Sequence, residues 1–204
     1  MRVFKQIPRI LFGENSFERY LELLPSKKQE EYYLFVVDHI HKKTKILDRI
    51  RIDSKDEIIW CDTTNEPKTE QIDNYKKELI KNSQTNPVAI IGIGGGSAMD
   101  IAKAISIILT NDGSSADYQG WDLVNNESIY KIAVPTLSGT GSEASRTCVL
   151  TGPDKKLGIN SDQSMFDAII CDITLLKTVP KDQRFFTGMD CYIHSVESLC
   201  GTMI

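Results

Sequence analysis

Ile91-Gly92-Ile93-Gly94-Gly95-Gly96-Ser97-Ala98-Met99-Asp100 stands where an apolar run, Val88-Ala89-Ile90-Ile91, hands over to a stretch that is apolar almost all round: Ile101, Ala102, Ala104, Ile105, Ile108 and Leu109. The first reads as a buried strand and the second as a buried helix. The glycines between them let the backbone turn tightly and bring N–H groups against an anion, and the following helix adds the positive end of its dipole. Taken alone, a turn that needs glycine only for packing explains the run equally well. It is not the G-x-G-x-x-G fingerprint, since the sixth position counted from Gly92 or Gly94 is Ser97 or Met99, and it lacks the Gly-Lys-Ser/Thr of a P-loop.

Upstream, the β-rich runs Tyr33 to Val37 and Ile58 to Cys61 are each followed by polar or helical sequence, and Lys68 to Lys81 carries Ile72, Tyr75, Leu79 and Ile80 at helical spacing. That rhythm predicts parallel βαβ units, an α/β fold. Downstream come close-set extended pieces, Ile132 to Val134, Thr147 to Leu150 and Ala168 to Cys171, with a turn signal at Thr151-Gly152-Pro153-Asp154. After Pro180, Lys181 to Leu199 reads as a helix with an apolar face of Phe185, Met189, Ile193 and Val196. The expected division is an α/β domain over 1–179 and the first helix of an all-helical domain over 180–204.

Two features favour the phosphate reading of the glycine turn. Asp38 closes the Tyr33 to Val37 strand, where a carboxylate can accept bonds from both ribose hydroxyls and repel a 2'-phosphate, favouring NAD over NADP; a helix cap is the competing role. Pro135-Thr136-Leu137-Ser138-Gly139-Thr140-Gly141-Ser142-Glu143 is a second small-residue loop after a strand, rich in hydroxyls. Further on, Asp190 and His194 stack one helical turn apart, a donor pair suited to Fe²⁺ or Zn²⁺, although on spacing alone such a pair is more often an ordinary surface pair. His39 and His41 are expected to be solvated loop residues.

Composition narrows the partners. The chain of 204 residues has a net charge of -4 with Lys and Arg dispersed, so nucleic acid and anionic membrane are not expected partners. No stretch approaches the roughly 18 apolar residues of a membrane span, and Met1 to Pro8 lacks a signal-peptide core. The five cysteines form no C-x-x-C pair, which suits a reducing, cytoplasmic setting.

As a set, Leu11-Phe12-Gly13, Asp38, Gly94 to Ser97 with Asp100 and Lys103, Pro135-Thr136 through Glu143, and Gly188-Met189-Asp190 to His194 resemble the iron-containing (group III) alcohol dehydrogenase family, whose relatives include glycerol dehydrogenase and, more distantly, dehydroquinate synthase. The resemblance implies a Rossmann-like parallel-sheet nucleotide-binding domain. It implies that Asp38, Gly95, Gly96, Ser97, Asp100, Thr136, Ser138, Thr140, Ser142 and Lys156 line a dinucleotide site and that Asp190 and His194 bind metal. The activity implied is hydride transfer from a small-molecule alcohol to NAD.

Residues 117–122, 146–153 and 189–194 look, more narrowly, like the branch that includes 3-deoxy-manno-octulosonate 8-oxidase, whose substrate is a sugar-acid primary alcohol. Arg146, Gln119 and Asn160 are the candidate donors for it, with folding roles as the alternative. The family continues into a helical domain that supplies two more histidine ligands, so the chain is expected to be a fragment, inactive alone, that forms a homodimer or associates through its uncovered last helix. A non-catalytic NAD-binding module and a dehydroquinate synthase-like lyase are the competing functions.

Overall fold

Alternation along the central strands accounts for a sheet buried on both faces. The computed structural model describes residues 5–83 and 85–201; the start of the Met1 to Pro8 segment and the end of the apolar Val196 to Ile204 stretch lie outside them. In chain order the elements are β1 (Arg9–Phe12), β2 (Tyr33–Asp38), β3 (Glu57–Cys61), α1 (Thr69–Asn82), β4 (Ala89–Gly94), α2 (Gly96–Ile108), β5 (Gly120–Trp121), β6 (Lys131–Pro135), β7 (Thr147–Thr151), β8 (Lys156–Asn160), β9 (Ala168–Cys171) and α3 (Lys181–Cys200), joined by 3-10 turns. In β2, Leu34 and Val36 face one apolar cluster while Tyr33, Phe35 and Val37 face the other; Ile90 opposes Ile91 and Ile93 in the same way on β4.

Six strands form the main sheet in the order β1-β9-β6-β4-β2-β3, and all its pairings are parallel. The chain steps outward from β2 to β3, then crosses back to β4, β6 and β9. The order therefore reverses between β2 and β4, the place where open α/β sheets leave a crevice beyond the carboxyl ends of their strands.

α2 is buried along its length, against the sheet on one side and β7 on the other, as its all-round apolar sequence requires. α1 buries Ile72 and Leu79, whereas Ile80, one position on and so rotated about 100°, faces solvent. α3 buries no residue, and Phe185, Phe186, Tyr192, Ile193 and Leu199 lie exposed along it. Among the described residues no helix is long and apolar enough to cross a membrane.

Three strands, β1, β5 and β8, were not foreseen, and two of them build a second sheet. β7 leaves the main sheet and forms an antiparallel hairpin with β8, with β5 on the outer edge of β8. The Gly152 turn closes the hairpin through a bond from Gly152 N to Lys155 O of 2.9 Å. Leu157 and Ile159 alternate as a strand should, but Lys156, Gly158 and Asn160 between them are poor strand formers.

Lys131, at the start of β6, is buried, with Nζ donating to Ser128 Oγ at 2.7 Å. Burial pushes its pKa down from 10.5 to about 7, against the pull of Asp167. Between those values the unfolded chain binds the proton that the folded chain has released. Stability should therefore rise with pH across that window, by up to about 1.4 kcal/mol per unit from this group. Denaturation midpoints of Lys131→Met between pH 7 and 10 should show that slope removed; an unchanged slope would assign it elsewhere.

Candidate functional site

The carboxyl ends of β2, β4 and β6, adjacent in the sheet, bring Asp38, Gly94 and Thr136 together. Thr136 N donates to Gly94 O at 2.9 Å, tying the two small-residue loops. Gly94 has φ +153°, and a Cβ there would sit 2.7 Å from Ala98 Cβ and 2.8 Å from Asp38 Cβ. A Cβ on Gly96 would lie 2.7 Å from Thr140 Oγ1, and one on Gly139 would lie 3.1 Å from Thr187 Cβ on α3. These glycines are thus required by close packing of the loops on the first turn of α2 and on α3. That packing leaves the first-turn N–H groups of α2 without a side-chain cap, since Gly95 occupies the capping position.

Beside this turn is a cavity of about 510 Å³ lined by Gly96, Ser97, Asp100, Thr140, Ser142, Lys156 and, from α3, Thr187 and His194. Gly95 lines a smaller crevice next to it, with Gly139 and Thr187. The remaining expected cofactor residues are placed differently. Ser138 opens onto a separate depression beside Phe12 and Leu176. Thr136 is buried, and Asp38 is buried with Oδ1 accepting from Ile40 N at 3.1 Å and Thr63 Oγ1 at 2.9 Å, so Asp38 does serve as a cap. Asp100 lines the cavity, yet its carboxylate is turned inward, accepting from Ser142 Oγ at 2.6 Å and Val149 N at 3.1 Å.

One expectation is corrected, and one open choice is decided in favour of a folding role. His41 is not solvated: it is buried between Thr136 Oγ1, 3.2 Å from Nε2, and Thr44 Oγ1, 3.3 Å from Nδ1. Its burial lowers the pKa, with Asp38 pulling the other way. His39 remains partly exposed near Asp38 and Asp62. Gln119, Arg146 and Asn160 are not free substrate donors. Gln119 Nε2 bonds the carbonyls of Leu150 and Leu157, Arg146 pairs with Asp122 and Asp162, and Asn160 Nδ2 bonds Gly120 O. Each holds the small sheet together. At the rim, Lys156 pairs with Glu66, a residue in the loop after β3 that sequence reasoning passed over although loops at that end of a parallel sheet are where ligands bind.

On α3, Asp190 Oδ1 and His194 Nε2 lie 3.4 Å apart, and Glu197 Oε2 is 3.4 Å from His194 Nδ1. Both side chains are about half exposed. A carboxylate and an imidazole converging on one point are a donor set that a borderline divalent ion accepts, and a second carboxylate behind the ring is the usual way its orientation is set. Among the described residues no group of three or more His, Cys, Asp or Glu side chains is placed to hold a metal ion.

Fold and cavity together define a doubly wound α/β protein with a glycine-turn cleft at its switch point. The chain belongs to the iron-containing alcohol dehydrogenase family, whose model matches residues 8–173. It is 43% identical over 114 residues to the sulfoacetaldehyde reductase of Bilophila wadsworthia, covering 55% of this chain and 30% of that protein. It is 30% identical over 186 residues to long-chain-alcohol dehydrogenase 1 of Geobacillus thermodenitrificans, covering 87% and 46%. The crystal structure of sulfoacetaldehyde reductase from Bifidobacterium kashiwanohense in complex with NAD+ superposes with a TM-score of 0.74 at 27% identity, covering 93% of this chain and 51% of that one. The chain thus spans about half the length of the solved structure, and the matched stretches span less than half of the two relatives.

Proposed function

We propose that this chain is the nucleotide-binding part of an NAD-linked, metal-dependent oxidoreductase that interconverts a small alcohol and its aldehyde. The observation that carries the reading is that one cavity is walled by the uncapped first turn of α2, by the hydroxyl loop and by His194 of α3. The cradle suits a pyrophosphate: N–H groups and the positive end of a helix dipole face it, and Ser97, Thr140 and Ser142 add hydroxyls. Asp38, at the end of β2 beside Gly94, is the residue that would receive the ribose, and a carboxylate there would disfavour a 2'-phosphate.

Asp190 and His194 would hold the ion, with further ligands needed to complete a catalytic site. When bound, the dinucleotide supplies a hydride acceptor and the divalent ion a Lewis acid. The family match weighs against a lyase. The sugar-acid substrate reading is supported by the motifs at 117–122, 146–153 and 189–194 alone, since the donors expected to serve it are committed to internal bonds. Association through α3, as a homodimer or otherwise, is supported by its exposed aromatic and aliphatic side chains.

Calorimetric titration tests this reading. NAD should bind at least about 10-fold more tightly than NADP, a difference of about 1.4 kcal/mol. Zn²⁺ titration should lose its saturable phase in His194→Ala. Absence of NAD binding would sink the cofactor reading, and identical Zn²⁺ isotherms for the two proteins would remove His194 from the metal site.

A further inference from the structure

Residues 139–147, Gly-Thr-Gly-Ser-Glu-Ala-Ser-Arg-Thr, contain no large apolar side chain, so burial of hydrocarbon cannot hold this loop in place. What holds it is a pair of polar side chains on α2, Asp100 and Lys103. Lys103 is fully buried, and its Nζ is surrounded by four oxygens within hydrogen-bond distance, Thr147 O at 2.8 Å, Ser145 O at 3.0 Å, Ser145 Oγ at 3.2 Å and Ser142 Oγ at 3.2 Å. Asp100, three residues earlier on the same helix, accepts from Ser142 Oγ at 2.6 Å and Val149 N at 3.1 Å, with Oδ1 4.0 Å from Lys103 Nζ. Ser142 Oγ thus sits between Asp100 and Lys103, and the four oxygens around Lys103 Nζ all belong to residues 142–147. Burying the polar end of a lysine is costly unless it is hydrogen-bonded, and an apolar residue would fill the space at less expense. Lys103 itself does not border the cavity, whereas Thr140, Ser142 and Ser145 do.

We propose that Lys103 is a positioning residue for the cofactor: with Asp100 it pins residues 142–147 to α2, so that the hydroxyls of the loop and the N–H groups of the helix present one preorganised wall to the dinucleotide. The proposal rests on the NAD reading above. Preorganisation raises affinity by sparing the loop an ordering cost at the moment of binding.

The test uses the whole chain and two readouts, amide hydrogen exchange without ligand and NAD affinity well below the melting transition, where a merely structural role leaves affinity unchanged. In Lys103→Met the amides of 142–149 should exchange at least about 10-fold faster while those of Leu34 to Val37 are unaffected, and the NAD dissociation constant should rise at least about 10-fold. Ser145→Ala, which removes one of the Lys103 partners and leaves Lys103 in place, should move both readouts the same way by a smaller factor and serves if Lys103→Met does not fold. Unchanged loop exchange overturns the tether. A loosened loop with unchanged NAD affinity overturns the positioning role. Failure of the unmodified chain to bind NAD overturns the cofactor reading and the positioning role together, and the exchange data then show separately whether the tether stands.

Discussion

Gly94→Ala should remove about 2–6 kcal/mol of stability and abolish NAD binding. Two costs add at this position. The backbone has φ +153°, a region that L side chains rarely adopt, which costs about 1–3 kcal/mol. The new Cβ would also meet Ala98 Cβ at 2.7 Å and Asp38 Cβ at 2.8 Å. Both are fixed to backbone and cannot rotate away, so relief requires α2 and β2 to separate, at about 1–3 kcal/mol for overpacking. The total is a large part of the roughly 5–15 kcal/mol that a domain possesses. Gly141→Ala is the matched control: Gly141 has φ +64° and no heavy atom within 4 Å of its Cβ position, so only the conformational cost applies, about 1–2 kcal/mol. Urea midpoints at unchanged m-value measure both. If the two variants lose equal stability, the close approach at the β2–β4 switch point is not what demands glycine.

Asp172→Ala should cost about 3–5 kcal/mol, although the residue touches no part of the proposed site. Its carboxylate, with a fully buried side chain, gathers three separate segments. Oδ1 accepts from Asn15 N at 3.1 Å, Thr174 N at 2.9 Å and Thr174 Oγ1 at 2.6 Å, and Oδ2 accepts from Arg49 at 2.8 Å and Phe17 N at 3.3 Å. Removing it leaves two backbone N–H groups of the 15–17 turn without their acceptor and strips the Arg49 guanidinium of its nearest carboxylate, leaving it Glu18 at 3.4 Å. Burial alone would raise the pKa of Asp172, but the bonds from Thr174, Phe17 and Arg49 outweigh it and hold the carboxyl below its ordinary 3.8. A depressed carboxylate stabilises the fold fully above its unfolded pKa and loses that contribution as pH falls through the folded value. Acid unfolding of the parent chain should therefore steepen below about pH 4, and Asp172→Ala should lack this component. A variant within 1 kcal/mol of the parent at neutral pH would mean that water takes over these bonds.

The glycine turn shows how much of the site was legible. Gly94 to Gly96 between an apolar strand and an apolar helix pointed to a tight turn, and Asp38 and the 135–143 loop pointed to the same end of the sheet. The reason those glycines are needed was not legible, because Thr140 and Leu137, which crowd Gly96 and Gly95, are distant in sequence. His41 looked like a solvated loop residue because its neighbours Lys42 and Lys43 are polar; its partner Thr136 lies 95 positions away. Gln119, Arg146 and Asn160 have the side chains of ligand donors, and only the arrangement of β5, β7 and β8 reveals that Gln119 and Asn160 bond carbonyls of those strands while Arg146 pairs with the carboxylates just beyond β5 and β8.

By itself the sequence determined the element types, the parallel character of the main sheet, the buried helix after the glycine turn and the family, because periodicity, glycine placement and motif order are properties of residues near one another in the chain. The tertiary structure decided the reversal between β2 and β4, the small second sheet, the inward turn of Asp100 and the burial of Lys103 among loop oxygens about 40 residues away. These depend on where polar groups find partners once water is excluded, and a buried charge is tolerated only where the folded chain brings those partners to it.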